Sequence, residues 1–200
     1  MSKNTKKIII VSNKDKISSV DLYENNSDTI FADISKKTIL HYLKNAVKIS
    51  LEQNLDYVII LTENHAYTSL YQKLLFEENI KEAANNNCHI LCGGLLNFYN
   101  AVVVSSSLVW IDRFISSNYL VIFNTLYSDI LKLDNLDTID ELNDLTVNKM
   151  VVFPFISTYK NTTSNLSSEY KVLLDPYKIR ENNSFQKLQL YMNGFKRFNV

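Results

Sequence analysis

Glycine is scarce in this chain, with 3 residues in 200. None belongs to a G-x-G-x-x-G turn or a Walker loop, which disfavours both a dinucleotide-binding Rossmann domain and a P-loop enzyme. Any phosphate must then be held by a metal, by side chains or by ordinary helix ends. A surplus of either charge is also missing: 21 basic residues balance 21 acidic ones. Dedicated nucleic-acid binders usually carry a basic excess, so that class is disfavoured and no nucleic-acid partner is expected. Long apolar runs are absent as well. The run behind the basic start, Ile8 to Val11, falls short of the about 7–15 apolar residues of a signal peptide. No stretch approaches the ~18 residues of a membrane span. The expectation is a cytoplasmic protein that touches a membrane, if at all, peripherally at its inner face.

Cysteine is limited to Cys88 and Cys92, on either side of His89. A zinc site would need further ligands beside them, and none is near in sequence. Alternation through Cys88-His89-Ile90-Leu91-Cys92 predicts both thiols on one face of a strand, as core groups. What the chain does have is ordinary globular material: 46% apolar residues exclude wholesale disorder. The length fits one domain over 1–200, with a core over about 7–157 and a polar loop and docked C-terminal segment over 158–200.

Lys7 to Val11 and Thr29 to Ile34 read as strands. Ser35 reads as an N-cap, followed by Ile39, Leu40, Leu43, Ala46, Val47 and Leu51 at helical spacing, with Gln53-Asn54 closing the helix. A strand over Tyr57 to Leu61 comes next. Strand, helix and strand at this spacing make a βαβ unit and favour a parallel pair. A second helix is expected over Ser69 to Ala84, with Leu70, Leu74, Leu75 and Ile80 inward. Cys88 to Leu91 then runs into Gly93-Gly94. Further strands are expected at Ala101 to Val104, Leu108 to Trp110, Tyr119 to Phe123 and Met150 to Phe155. Thr125 to Leu133 reads as a helix and Asp134 to Asn148 as an acidic, mobile connection. His41 and His89 lie within apolar patterns and read as structural.

The stretch richest in chemistry is Tyr57-Val58-Ile59-Ile60-Leu61-Thr62-Glu63-Asn64-His65. An apolar, β-branched run that stops at an acid, an amide and an imidazole reads as a buried strand with a polar end. Ligands of open α/β sheets bind beyond the carboxyl ends of such strands. Ser12, at the end of the first strand, is a second candidate contact, or simply a turn residue.

Four segments, in this order and spacing, resemble a small bacterial glycosyltransferase family of the GT-A type, related to the lipopolysaccharide-type transferases. They are the helix and strand leading into ILTENHAYT, then HILCGGLLNFYNAVVV, LVWIDRFISSNYLVIFNTLYSDIL and NKMVVFPFIS, together covering roughly residues 35 to 160. The resemblance implies a single α/β domain of nucleotide-diphospho-sugar transferase type, with a mixed, mostly parallel central sheet flanked by helices. It implies transfer of a sugar from a nucleotide-sugar donor to a surface-glycan or lipopolysaccharide-type acceptor, with Mn²⁺ or Mg²⁺ on the diphosphate. Relatives carry roughly Glu-Asp-Asp-His where this chain has Thr62, Glu63, Asn64 and His65, so two carboxylates are lost. Relatives also continue into a Gly-Tyr-Ser-Asp-like stretch where this chain has Asn161 to Asn165. These departures set a second expectation beside the first: a GT-A-like domain that no longer catalyses transfer and serves as a binding or partner subunit.

Within that frame Glu63 and His65 are the expected metal ligands, and Asn64 a donor contact. The bland alternatives are an acid at a helix start and ordinary turn residues. Gly93 and Gly94 either let a backbone approach a ligand closely or form a plain turn. Asn97 and Asn100 follow them, both placed to hydrogen-bond sugar hydroxyls. Trp110 either stacks on a sugar or belongs to the core. Asp112, at a strand end, is either a base for the acceptor proton or an ion-pair partner of Arg113 or Lys132. Asp140 is the other candidate base, because relatives carry an acid at about this place; a solvated acidic loop explains it equally well. Phe195, Lys196 and Arg197 near the C-terminus suit either a docked helix or a membrane surface.

Overall fold

The computed structural model describes residues 6–11, 29–33, 37–62, 65–159 and 176–198. In chain order the strands are β1 (Lys6–Val11), β2 (Thr29–Asp33), β3 (Tyr57–Thr62), β4 (His65–Tyr67), β5 (Ile90–Cys92), β6 (Asn97–Phe98), β7 (Ala101–Val103), β8 (Leu108–Ile111), β9 (Phe114–Ile115), β10 (Tyr119–Phe123), β11 (Lys149–Val152) and β12 (Ser157–Tyr159). The helices are α1 (Ile39–Glu52), α2 (Lys73–Asn85), α3 (Tyr127–Lys132) and α4 (Pro176–Phe198), with 3₁₀ segments at Asn124–Leu126 and Ile139–Leu145.

Eight strands form one sheet in the order β2-β1-β3-β10-β5-β11-β8-β7. The fold is mixed α/β. Parallel pairs join β2 to β1, β1 to β3 and β5 to β11, and the other four neighbour pairs are antiparallel. The expected predominance of parallel pairing is therefore corrected. Tyr119–Phe123 is apolar throughout and buried at every position, so it can occupy the centre of the sheet, where it runs against both β3 and β5. The βαβ unit is present in altered form: β2 and β3 run the same way, but β1 lies between them.

Helix α1 starts at Ile39 because Thr38 caps it, its side chain accepting from the His41 N–H; Ser35 lies outside the described residues. Asn54, at φ 52°, ends the segment as expected. Helix α2 begins four residues later than the sequence pattern suggested. It buries Phe76, Asn79, Ile80 and Ala83, while Leu70, Leu74 and Leu75 stay exposed. The apolar pattern there was read one face out of phase.

Two apolar layers sandwich the sheet. One holds α1, α3 and the Leu188 and Met192 side chains of α4 against Val58, Ile60, Ile90, Cys92, Leu120 and Ile122. The other holds Phe76, Ile80 and Ala83 of α2 against Ile59, Leu61, Leu91, Tyr119 and Val121. Cys92 belongs to the first layer and Cys88 to the second, which corrects the shared face expected of them. The strand begins only at Ile90, so the alternation does not extend back to Cys88. Both thiols are buried and free, and burial pushes Cys88 up to about 12.

The acidic connection is also built differently from expectation. Ile139–Leu145 is a 3₁₀ segment with a reciprocal cap between Thr138 and Glu141. Asn143 pins it to β9, accepting from the Phe114 N–H at 3.0 Å and donating to the Phe114 carbonyl at 2.8 Å. Lys149, only 2% exposed, donates from beneath to the carbonyls of Asn143 and Thr146.

Candidate functional site

Strands β3, β5 and β11 end at one edge of the sheet, and antiparallel β10 begins there. The small ribbon of β6 and β9 returns the chain across the face covered by α1 and α4. Its turns bring Ser116, Ser117 and Asn118 to the carboxyl ends of β3 and β5. Thr62 donates its hydroxyl to Asn118 Oδ1 at 3.0 Å, and its N–H reaches the Asn118 carbonyl at 3.1 Å. This fixes the amide's orientation. The Nδ2 group is left buried with no acceptor, an arrangement that costs free energy in a protein interior.

Asp140 arrives at the same edge from the 3₁₀ segment. Both of its carboxylate oxygens accept the Ser116 N–H, at 2.9 and 3.0 Å. Ser116 has φ 51°, a left-handed conformation that points its N–H at the acid. Burial raises the Asp140 pKa above the usual carboxylate value, against the lowering effects of the Ser116 N–H and of Arg113. Tyr159 donates its hydroxyl to the Ser116 carbonyl at 3.0 Å, and its ring stacks on Tyr177 of α4.

The other expected residues are distributed as follows. Ser12, Glu63 and Asn64 lie outside the described residues, as do Asn161 to Asn165. His65 is 6% exposed, with its ring among Tyr67 and Tyr119 and its Nδ1 2.9 Å from Ser157 Oγ. Among the described residues no three His, Cys, Asp or Glu side chains gather as a cation set. With Glu63 outside the described residues, His65 alone among those described does not make a divalent-cation site.

Gly93 and Gly94 lie at the expected edge, but the protein itself fills the space beside them. A Cβ on Gly94 would sit 2.2 Å from the Ser157 carbonyl oxygen, and one on Gly93 would sit 3.0 Å from Tyr119 Cβ. The Gly93 carbonyl accepts from the N–H groups of Ile156 and Ser157. The missing side chain of Gly94 thus admits the Ser157 backbone of β12, and that of Gly93 the Tyr119 and Ile156 side chains, not a ligand.

Trp110 belongs to β8, which runs antiparallel to β11, and Asp112 follows directly after it. Ile111 pairs with Lys149, level with Ile90, so Asp112 sits at the opposite edge of the sheet from Asp140's loop. Burial pushes the Asp112 pKa up, but N–H donors from Asn100, Arg113 and Tyr99 outweigh it and hold the carboxyl below its usual value. Arg113 pairs instead with Asp144, and Lys132 with Asp129. The Trp110 indole donates to the Val147 carbonyl at 2.9 Å. Asn97 is exposed on β6, its side chain accepting the Phe98 N–H. The structure therefore brings Asp140 to the strand-end loop and separates it from Asp112, Trp110 and Asn97.

Thr62 entered the sequence reading only as the first position of the strand-end motif, and Ser116, Asn118 and Tyr159 did not enter it as site residues at all. The only signal for them was their place at the ends of apolar runs.

No protein-family model and no curated protein sequence matches this chain. Among solved structures the chain is similar to the crystal structure of A197 from STIV. The TM-score is 0.50 at 10% identity, over 74% of this chain and 81% of that one. At that identity the likeness concerns the α/β fold alone.

Proposed function

We propose that the chain is a GT-A-like glycosyltransferase that moves a sugar from a nucleotide-sugar to a surface-glycan or lipopolysaccharide-type acceptor. The carrying observation is the half-buried Asp140 carboxyl, delivered to the loop at the carboxyl ends of β3 and β5 and held there by Ser116. Ligands of open α/β sheets occupy this edge. A carboxylate with raised proton affinity suits a general base. Asp140 takes the proton of an acceptor hydroxyl as that oxygen bonds to the anomeric carbon, and the bond to the diphosphate breaks with its electrons leaving on the diphosphate. Work at the inner face of a membrane, in the cytoplasm, is consistent with such an acceptor.

A second reading, a non-catalytic GT-A-like binding or partner subunit, is favoured by the closed turn at Gly93-Gly94, which the chain's own backbone occupies. Thermal denaturation with UDP, GDP, CDP and CMP, each with and without Mn²⁺, separates the two. A ligand bound only by the folded state raises the midpoint. One nucleotide raising it, with transfer lost in Asp140→Asn while the rise persists, supports the enzyme. No rise with any nucleotide moves the assignment to the second reading.

A further inference from the structure

A cavity of about 330 Å³ opens between α4 and the β4–β12 ribbon, lined by Phe155 and Phe185 and, among its polar residues, Thr158, Lys178, Glu181 and Asn182. None of these residues was singled out by sequence. We propose that it is a binding site for a neutral pyranose, the size of a single sugar ring.

Glu181 carries the inference. Its side chain is only 10% exposed, yet Thr158 Oγ1 at 2.6 Å and the Lys178 ammonium at 3.3 Å both engage Oε2. Oε1 remains to accept from a ligand hydroxyl. Held in place through Oε2 and lining the cavity, the carboxylate presents that oxygen in a fixed position, so a ligand hydroxyl meets an acceptor already oriented. The exposed Asn182 amide, one residue on, adds a donor and an acceptor, which suits a pair of neighbouring hydroxyls.

Charge sets the class of ligand. Among the described lining residues Lys178 and Glu181 carry one charge of each sign and pair with each other, so this lining favours neither a phosphate nor an ammonium group strongly. Phe155 and Phe185, 5.7 Å apart between ring centroids and nearly perpendicular, give the cavity an apolar wall. A molecule with hydroxyls on its edge and C–H groups on its face satisfies both halves, and a pyranose ring is such a molecule.

The site goes beyond the donor-edge reading and stands without it, since a non-catalytic subunit would use it equally well. The test is saturation-transfer NMR and calorimetry on the full chain, without nucleotide. Glucose, galactose, mannose and N-acetylglucosamine serve as probes, with glucuronate and glucosamine as charged controls. The expected result is millimolar binding of at least one neutral sugar, stronger than either charged control. Asn182→Ala, an exposed change that leaves the fold intact, should weaken it by ~5-fold, the loss of one net hydrogen bond. Glu181→Gln should weaken it further. Failure of every neutral sugar to bind the folded protein overturns the proposal, as does binding unaltered in both variants or preference for a charged sugar. Because nucleotides are left out, a sugar result and a nucleotide result can fail independently.

Discussion

In the proposed mechanism Asp140 makes opposite demands on stability and chemistry, and its pH dependence exposes them. A carboxyl whose pKa is raised on folding binds more protons in the native than in the unfolded state. Its stabilising contribution is present at low pH, falls as pH rises from the ordinary carboxylate value through the raised one, and is lost above it. Asp140→Asn removes this dependence while keeping an oxygen for the Ser116 N–H. Urea midpoints from acid to neutral pH should therefore show the variant gaining on the wild type as pH rises, even as transfer activity disappears. A parallel pair of curves would show that burial does not bear on Asp140's proton. Gly94 gives a residue-level prediction of opposite sign. A methyl group 2.2 Å from a carbonyl oxygen cannot be accommodated without moving β12. Gly94→Ala should thus cost about 1–3 kcal/mol in chemical denaturation. Of the two candidate bases, Asp140 lies by the Ser116 turn at the strand-end loop, whereas Asp112 lies at the other edge of the sheet. An aspartate at a strand end looks the same in sequence whichever way the strand runs, and only β8's antiparallel pairing places it at the far edge.

At the scale of elements, α4 is fixed by contacts of two kinds. Leu188 and Met192 are buried in the layer shared with α1, and Ser184 donates to the Leu96 carbonyl at 2.7 Å. Lys187 donates to the Tyr99 carbonyl at 2.8 Å and lies over the Phe98 ring. Leu188→Ala should lower unfolding free energy by about 2–4 kcal/mol, the range for emptying a well-packed leucine site. A change within error would mean that the helix is held by its polar contacts. The strands and α1 were legible because their runs are long and periodic. The 3₁₀ segment was not: in Ile139–Leu145 only Leu142 and Asn143 are buried, so its acids gave the pattern of a loop. What orders it are the side-chain bonds of Asn143 and Lys149, which have no sequence period. The onset of α2 was misplaced for a related reason. Leu70, Leu74 and Leu75 mimic a buried stripe, but Phe76, Ile80 and Ala83 make the stronger contact with the sheet.

For the whole molecule, the mixed α/β layering was legible and the strand order was not, because neither the insertion of β10 between β3 and β5 nor the placement of β1 between β2 and β3 follows from local pattern. That order makes one sheet the common wall of two apolar layers. Side chains on opposite sides of it share no partners, so their energetic effects should be independent. Ile80→Val, in the α2 layer, is expected to cost about 0.5–1.5 kcal/mol. Combined with Leu188→Ala across the sheet, the losses should add to within ~0.5 kcal/mol. Leu188→Ala with Met192→Ala, one turn apart in the same layer, should depart from additivity by more, because the second truncation opens onto a cavity already made by the first. Equal coupling in the two cycles would mean that the sheet transmits repacking from one layer to the other. The edge that carries the Asp140–Ser116 contact would then respond to changes behind α2 as readily as to changes beneath α4.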